Sequence, residues 1–88
     1  MELSDYRAQI DQIDRQLVAL FAQRMNTAAG IAAYKKEHGL PVLDPVRERE
    51  KLLDVAAQAP EDMRDYTASL YTMLFELSRC YQGRLLGS

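Results

Sequence analysis

An all-α fold is what this sequence predicts, and three observations predict it. Strong punctuation falls at only two places, His38-Gly39-Leu40-Pro41 with Asp44-Pro45 just after, and Ala59-Pro60-Glu61-Asp62. The stretches between lack Pro and are rich in Ala, Leu, Gln, Arg and Glu, which are good helix formers. β-Branched residues are few and never alternate with polar ones, so no strand is signalled.

Three helices follow in order. The first takes Ser4 or Asp5 as N-cap and runs to about His38, with Gly39 in the left-handed position that ends it. The second has Asp44 as N-cap and Pro45 at its first helical position, and ends near Ala59. The third begins near Pro60 or Glu61 and runs to about Arg84. Residues 1–86 read as one domain, and Gly87-Ser88 as an expression scar or the start of a linker.

The first helix is too long for its chain. About 34 residues at 1.5 Å each make a rod of roughly 50 Å. A compact chain of 88 residues has a radius of gyration of about 12 Å. Two further helices cannot cover such a rod, so a second copy of the chain is expected beside it, most simply as a two-fold dimer. Ala28-Ala29-Gly30-Ile31-Ala32-Ala33 offers small side chains for close helix approach. A break at Gly30 with the helix folding back is the alternative, although one internal Gly costs only about 1 kcal/mol.

Composition narrows the function. At 10.0 kDa, with one cysteine (Cys80) and no Cys/His cluster, neither a disulfide nor zinc can staple the fold. That again leaves a partner chain as the source of extra core. A net charge of −2 argues against a general nucleic-acid binder. No apolar run approaches the roughly 20 residues of a membrane span. The opening MELSDYRAQID lacks the signal-peptide pattern, so the expected location is the cytoplasm.

Charges stand where apolar residues belong. The stripe of the first helix contains Ile10, Ile13, Leu17, Leu20, Phe21, Ala28 and Ile31, all within roughly 60° of Arg24. Lys35 lies about 20° from Arg24 and roughly 16 Å further along. Each buried cation calls for an anion. Arg7 is about 100° off the stripe and about 25 Å away, too far to share a small ligand within one chain. In an antiparallel pairing it could serve the partner's site.

The third helix repeats the pattern with neutral groups. Tyr71, Leu74, Phe75, Tyr81 and Leu85 lie within roughly 60° of Ser78, and Gln82 is one turn on. In the second helix Glu48 begins the stripe continued by Leu52, Val55 and Ala59, near the helix N-terminus where the dipole favours a carboxylate. Each residue also has an ordinary structural reading. The Arg and Lys stems can be buried with their heads wet. Glu48 could pair with Lys35 or Arg24, Ser78 could bond back to its own helix, and Gln82 could cap a neighbour. Together they suggest a polar pocket for a small dianion that carries a hydroxyl.

Other chemistry is weakly signalled. Ser78 has no base, because His38, the one histidine, ends the first helix and reads as solvated. Asp11 and Asp14 lack further ligands, so no metal site is expected. Arg47-Glu48-Arg49-Glu50-Lys51 reads mostly as a solvated face, and no glycine-rich phosphate loop is present.

Several segments together carry a family likeness: Arg7-x-x-Ile10-Asp11-x-x-Asp14, Leu20-Phe21-Ala22-Gln23-Arg24, Ile31-Ala32-Ala33-Tyr34-Lys35, Leu43 to Glu50, and Ser78-Arg79-Cys80-Tyr81-Gln82. On these the chain resembles the all-α class of chorismate mutases over nearly its whole length. The resemblance implies an intertwined three-helix homodimer that converts chorismate to prephenate in phenylalanine and tyrosine biosynthesis, without cofactor or metal. It implies that Arg24, with Arg7 of the other chain, holds the two carboxylates. It also implies that Lys35 contacts a carboxylate and the ether oxygen, and that Gln82 donates to that oxygen. Asp44 and Glu48 would position the ring hydroxyl, Ser78 would sit near a carboxylate, and Arg47 would line the pocket. Catalysis would rest on Lys35, Gln82, Arg24 and Glu48. The Asp44–Lys51 segment is also similar to mutase domains fused ahead of prephenate dehydratase. Isochorismate-pyruvate lyases look like the same family, and a non-catalytic dimerisation or regulatory module is a further alternative.

Overall fold

The computed structural model describes residues 1–87. Three α-helices follow one another: α1 (Leu3–Glu37), α2 (Pro45–Gln58) and α3 (Arg64–Leu86), with a 3₁₀ turn, Glu61–Met63, ahead of α3. No strand occurs among the described residues. Among the described residues no helix is long and apolar enough to cross a membrane.

The helix ends follow from local chemistry. α1 starts earlier than Ser4 or Asp5: its N-cap is Glu2, whose backbone N–H donates to the Asp5 carboxylate at 2.9 Å. Asp5 is thus inside the first turn, answering a backbone donor from three residues back. The helix then runs unbroken through Gly30 to Glu37. It closes with paired hydrogen bonds, Gly39 N–H to Lys36 O at 3.3 Å and Leu40 N–H to Lys35 O at 2.7 Å. Those bonds require the left-handed backbone that Gly39 supplies at φ 67°. At the start of α2 the Asp44 carboxylate accepts the Arg47 N–H at 3.0 Å, with Pro45 at the first position. α3 begins later than Pro60 or Glu61, because Met63 N–H bonds back to Pro60 O at 2.8 Å and tightens that turn to 3₁₀. It ends at Leu86 on Gly87, φ 69°, so Gly87 caps the helix; Ser88 lies outside the described residues.

Packing is concentrated at one end. α3 contacts both α1 and α2. Among the described residues, the side-chain hydrogen bonds joining α1 to α3 come from Arg24, Met25, Asn26, Ala28 and Lys36 of α1. The core is correspondingly thin, with Ala32, Val55 and Phe75 as its buried apolar residues and Ser78 as a buried polar one. The molecule measures 55 × 26 × 15 Å with a radius of gyration of 16.1 Å, against about 12 Å for a compact chain of this length.

The apolar stripe of α1 is not buried within one chain. Ile10, Ile13, Leu17, Leu20 and Ile31 are more than half exposed, and Phe21 is 37% exposed. Leu85 of α3 is also exposed, at 57%. For Ile10 to Leu20 the physical reason is the length mismatch, since the side-chain hydrogen bonds that join α1 to α3 begin only at Arg24.

Candidate active site

A cavity of about 440 Å³ opens where the C-terminal part of α1, the α1–α2 loop, the start of α2 and the end of α3 meet. That volume lies in the range of small-molecule sites. α1 contributes Arg24 and Lys35, on the side of the helix that their eleven-residue spacing shares. The N-terminal cap and first turn of α2 contribute Asp44, Arg47 and Glu48. α3 contributes Ser78 and Gln82 one turn apart. Ile31, Val42, Leu43 and Phe75 form apolar wall.

Arg7 is not among the lining residues; it is exposed on the first turns of α1. A second, shallower depression meets the first at Arg24, Ala28 and Ile31, and extends over Leu20, Thr27 and Tyr71.

The polar contacts decide among the readings open to each residue. Arg24 is half-buried and has no carboxylate partner among the described residues. Its Nη1 lies 3.4 Å from Ser78 Oγ. Its guanidinium lies 5.4 Å from the Tyr71 ring centre and 5.6 Å from that of Phe75. Ring faces and a hydroxyl thus stand where an anion was expected, and they offset part of its desolvation without quenching its charge. Ser78 Oγ points to Arg24 and, at 3.6 Å, to Met25 Sδ, so it does not bond back to its own helix. Lys35 Nζ stands 4.0 Å from Asp44 Oδ2, a loose pair. Gln82 Nε2 donates one proton to Ala28 O at 3.1 Å, which orients the amide. Among the described residues nothing accepts its second N–H.

Glu48 pairs with neither Lys35 nor Arg24. Both its oxygens accept from Arg79 Nη1, at 2.8 and 2.6 Å. Arg79 lines the cavity, and the sequence reading assigned it no role. It follows Ser78 by one residue, about 100° around the helix and off the stripe, so periodicity hides it. The available signal was its reach, since a long guanidinium stem beside a site residue can bend back to an acid on a neighbouring helix. Lys36 also lines the cavity and donates to Leu86 O at 3.1 Å, tying the end of α1 to the end of α3. The alternating-charge run is partly site: Arg47 and Glu48 line the cavity, Arg49 and Glu50 are exposed, and Lys51 pairs with Asp54 at 3.4 Å.

The cavity therefore carries Arg24, Lys35, Lys36, Arg47 and Arg79 against Asp44 and Glu48. Such an excess of cations on low-dielectric walls attracts a small anion. Nucleophilic chemistry finds no support: His38 is exposed, stacks on Tyr34 at 4.0 Å and points Nδ1 to Tyr34 O at 2.8 Å. Among the described residues no group of His, Cys, Asp or Glu could hold a metal ion.

Fold and cavity together define a small helical domain with a cation-rich cavity at one end. The chain belongs to the chorismate mutase type II family, whose model matches residues 6–83. It is 44% identical over 46 residues to the T-protein of Haemophilus influenzae, covering 52% of this chain and 12% of that protein. It is 38% identical over 48 residues to the chorismate mutase of Methanocaldococcus jannaschii, covering 54% and 48%. With the T-protein of Enterobacter agglomerans it shares 39% over 51 residues, covering 58% and 14%. The match thus spans less than half the length of each of these relatives. No solved structure matches the chain significantly.

Proposed function

We propose that this chain rearranges chorismate to prephenate, and that it does so as a homodimer with two equivalent sites. The observation that carries the reading is one cavity in which Arg24, Lys35 and Gln82 converge while Arg24 has no carboxylate partner among the described residues. A dicarboxylate would supply the counter-charge that Arg24 lacks and compete for Lys35, whose pair with Asp44 is loose.

The reaction is a unimolecular pericyclic shift. One C–O bond breaks as one C–C bond forms, and no proton or electron is exchanged with the protein. Two physical effects accelerate it. One is holding the flexible enolpyruvyl arm over the ring in the reactive conformer. The other is stabilising the negative charge that grows on the ether oxygen as the C–O bond opens. Arg24, with Arg7 of the second chain, serves the first by gripping carboxylates. Lys35 and the free N–H of Gln82 serve the second. Asp44 and Glu48 accept from the ring hydroxyl, while Ser78 and Arg47 complete the carboxylate subsites.

The second chain is supported by two features. The exposed stripe from Ile10 to Leu20 is a large apolar surface for a monomer to leave in water. The shallow depression beside Arg24 is an open approach for a guanidinium from outside the chain.

The test is direct: follow the loss of chorismate absorbance with the protein present and identify the product. Prephenate formed well above the uncatalysed rate is the expected result. Unchanged chorismate overturns the reading, and pyruvate released from isochorismate instead would assign the cavity to lyase chemistry.

A further inference from the structure

We infer that Arg79 is a positioning residue that turns the Glu48 carboxylate away from the substrate-binding cations and holds it as a fixed acceptor on the cavity wall. The inference rests on the proposed mutase reading for the identity of the substrate, and on the geometry for the rest.

The problem it solves is electrostatic. Glu48 lines the same cavity as Arg24, Lys35 and Arg47. In a small site a flexible carboxylate collapses onto the nearest cation, and every cation so paired is lost to an incoming dianion. Arg79 Nη1 prevents this by taking both Glu48 oxygens, at 2.8 and 2.6 Å, in the tightest ion pair the molecule shows among its described residues. The pair joins the first turn of α2 to the last turns of α3. Both side chains are partly exposed, at 42% for Arg79 and 31% for Glu48, so the pair sits at the rim.

Two consequences follow for ligand binding. Arg24 keeps a full charge, softened only by Ser78 and two aromatic faces. Glu48, already neutralised by Arg79, presents its remaining lone pairs to a ligand hydroxyl without repelling the ligand's carboxylates. Arg79 thus acts on the substrate through Glu48.

Steady-state kinetics with chorismate in two backgrounds tests this. Arg79→Met keeps the apolar stem and removes the guanidinium. It should lower kcat/KM about tenfold in the natural chain, mostly by raising KM, and less than about twofold in a Glu48→Gln chain, where there is no carboxylate left to hold. Arg79→Lys should recover most of the loss. If Arg79→Met does not fold, the same two-background comparison is made with Arg79→Gln. An equal loss in both backgrounds would mean that Arg79 touches the substrate itself, and no loss in either would reduce the pair to a surface bridge; each overturns the inference while leaving the mutase reading intact. A natural chain that turns over no chorismate overturns the mutase reading, and the role of Arg79 toward that substrate goes with it.

Discussion

Arg24 shows most sharply how a single side chain can be costly to the fold and useful to the site. Its half-buried guanidinium has two ring faces and one hydroxyl for company, and no counter-charge among the described residues. A structural arginine would be expected to have found a carboxylate, and Asp44 and Glu48 both line the same cavity. Instead those acids are engaged by Lys35 and Arg79. On the proposed mechanism, Arg24→Ala or Lys35→Ala should lose about 3–4 kcal/mol or more of transition-state stabilisation, the scale of a lost preorganised electrostatic donor. Circular dichroism establishes that the variant is folded, and kcat/KM for chorismate measures the loss. A folded variant with near-normal turnover would remove that residue from the mechanism.

At the scale of elements, the ends and continuity of the helices were legible because each is decided by residues within a turn of it. Asp44 with Pro45, and Gly39 after a run of helix formers, act locally and need no tertiary partner. The two shifted starts have equally local causes, Asp5 reaching back to Glu2 and Pro60 drawing Met63 into a 3₁₀ turn. Gly30 is the weak point of α1: it is exposed, and a Cβ there meets nothing within 4 Å in this chain. Gly30→Ala should therefore raise stability by about 0.5–1 kcal/mol, by restricting the unfolded chain and improving helix propensity. Urea unfolding at fixed protein concentration measures it. A loss of stability instead would mean that a second chain passes too close to Gly30 for a methyl group.

The exposed length of α1 fits the proposed homodimer. The core of three buried apolar residues among those described is small for a chain of 88 residues, and most of the α1 stripe lies uncovered. Sedimentation should give a dimer at micromolar concentration. The shared-site proposal goes further, because Arg7 and Lys35 of one chain would serve different sites. Mixing Arg7→Ala chains with Lys35→Ala chains, each inactive alone, should restore about a quarter of the natural activity, since random pairing makes half the dimers hybrids with one intact site. Subunit exchange without any return of activity would refute the shared site.

The helices, the side of α1 that Arg24 and Lys35 share, and the mismatch between a long rod and a short chain are all legible along the chain. Those properties depend on spacing and local propensity, which a linear string carries in full. The partners came from packing: Glu48 with Arg79, Arg24 with ring faces, Gln82 with a carbonyl of α1. Long side chains choose among neighbours within several ångströms, and that choice depends on how three helices sit against one another. The same physics accounts for Arg79, which helical periodicity puts outside the site and which a flexible stem brings back to it.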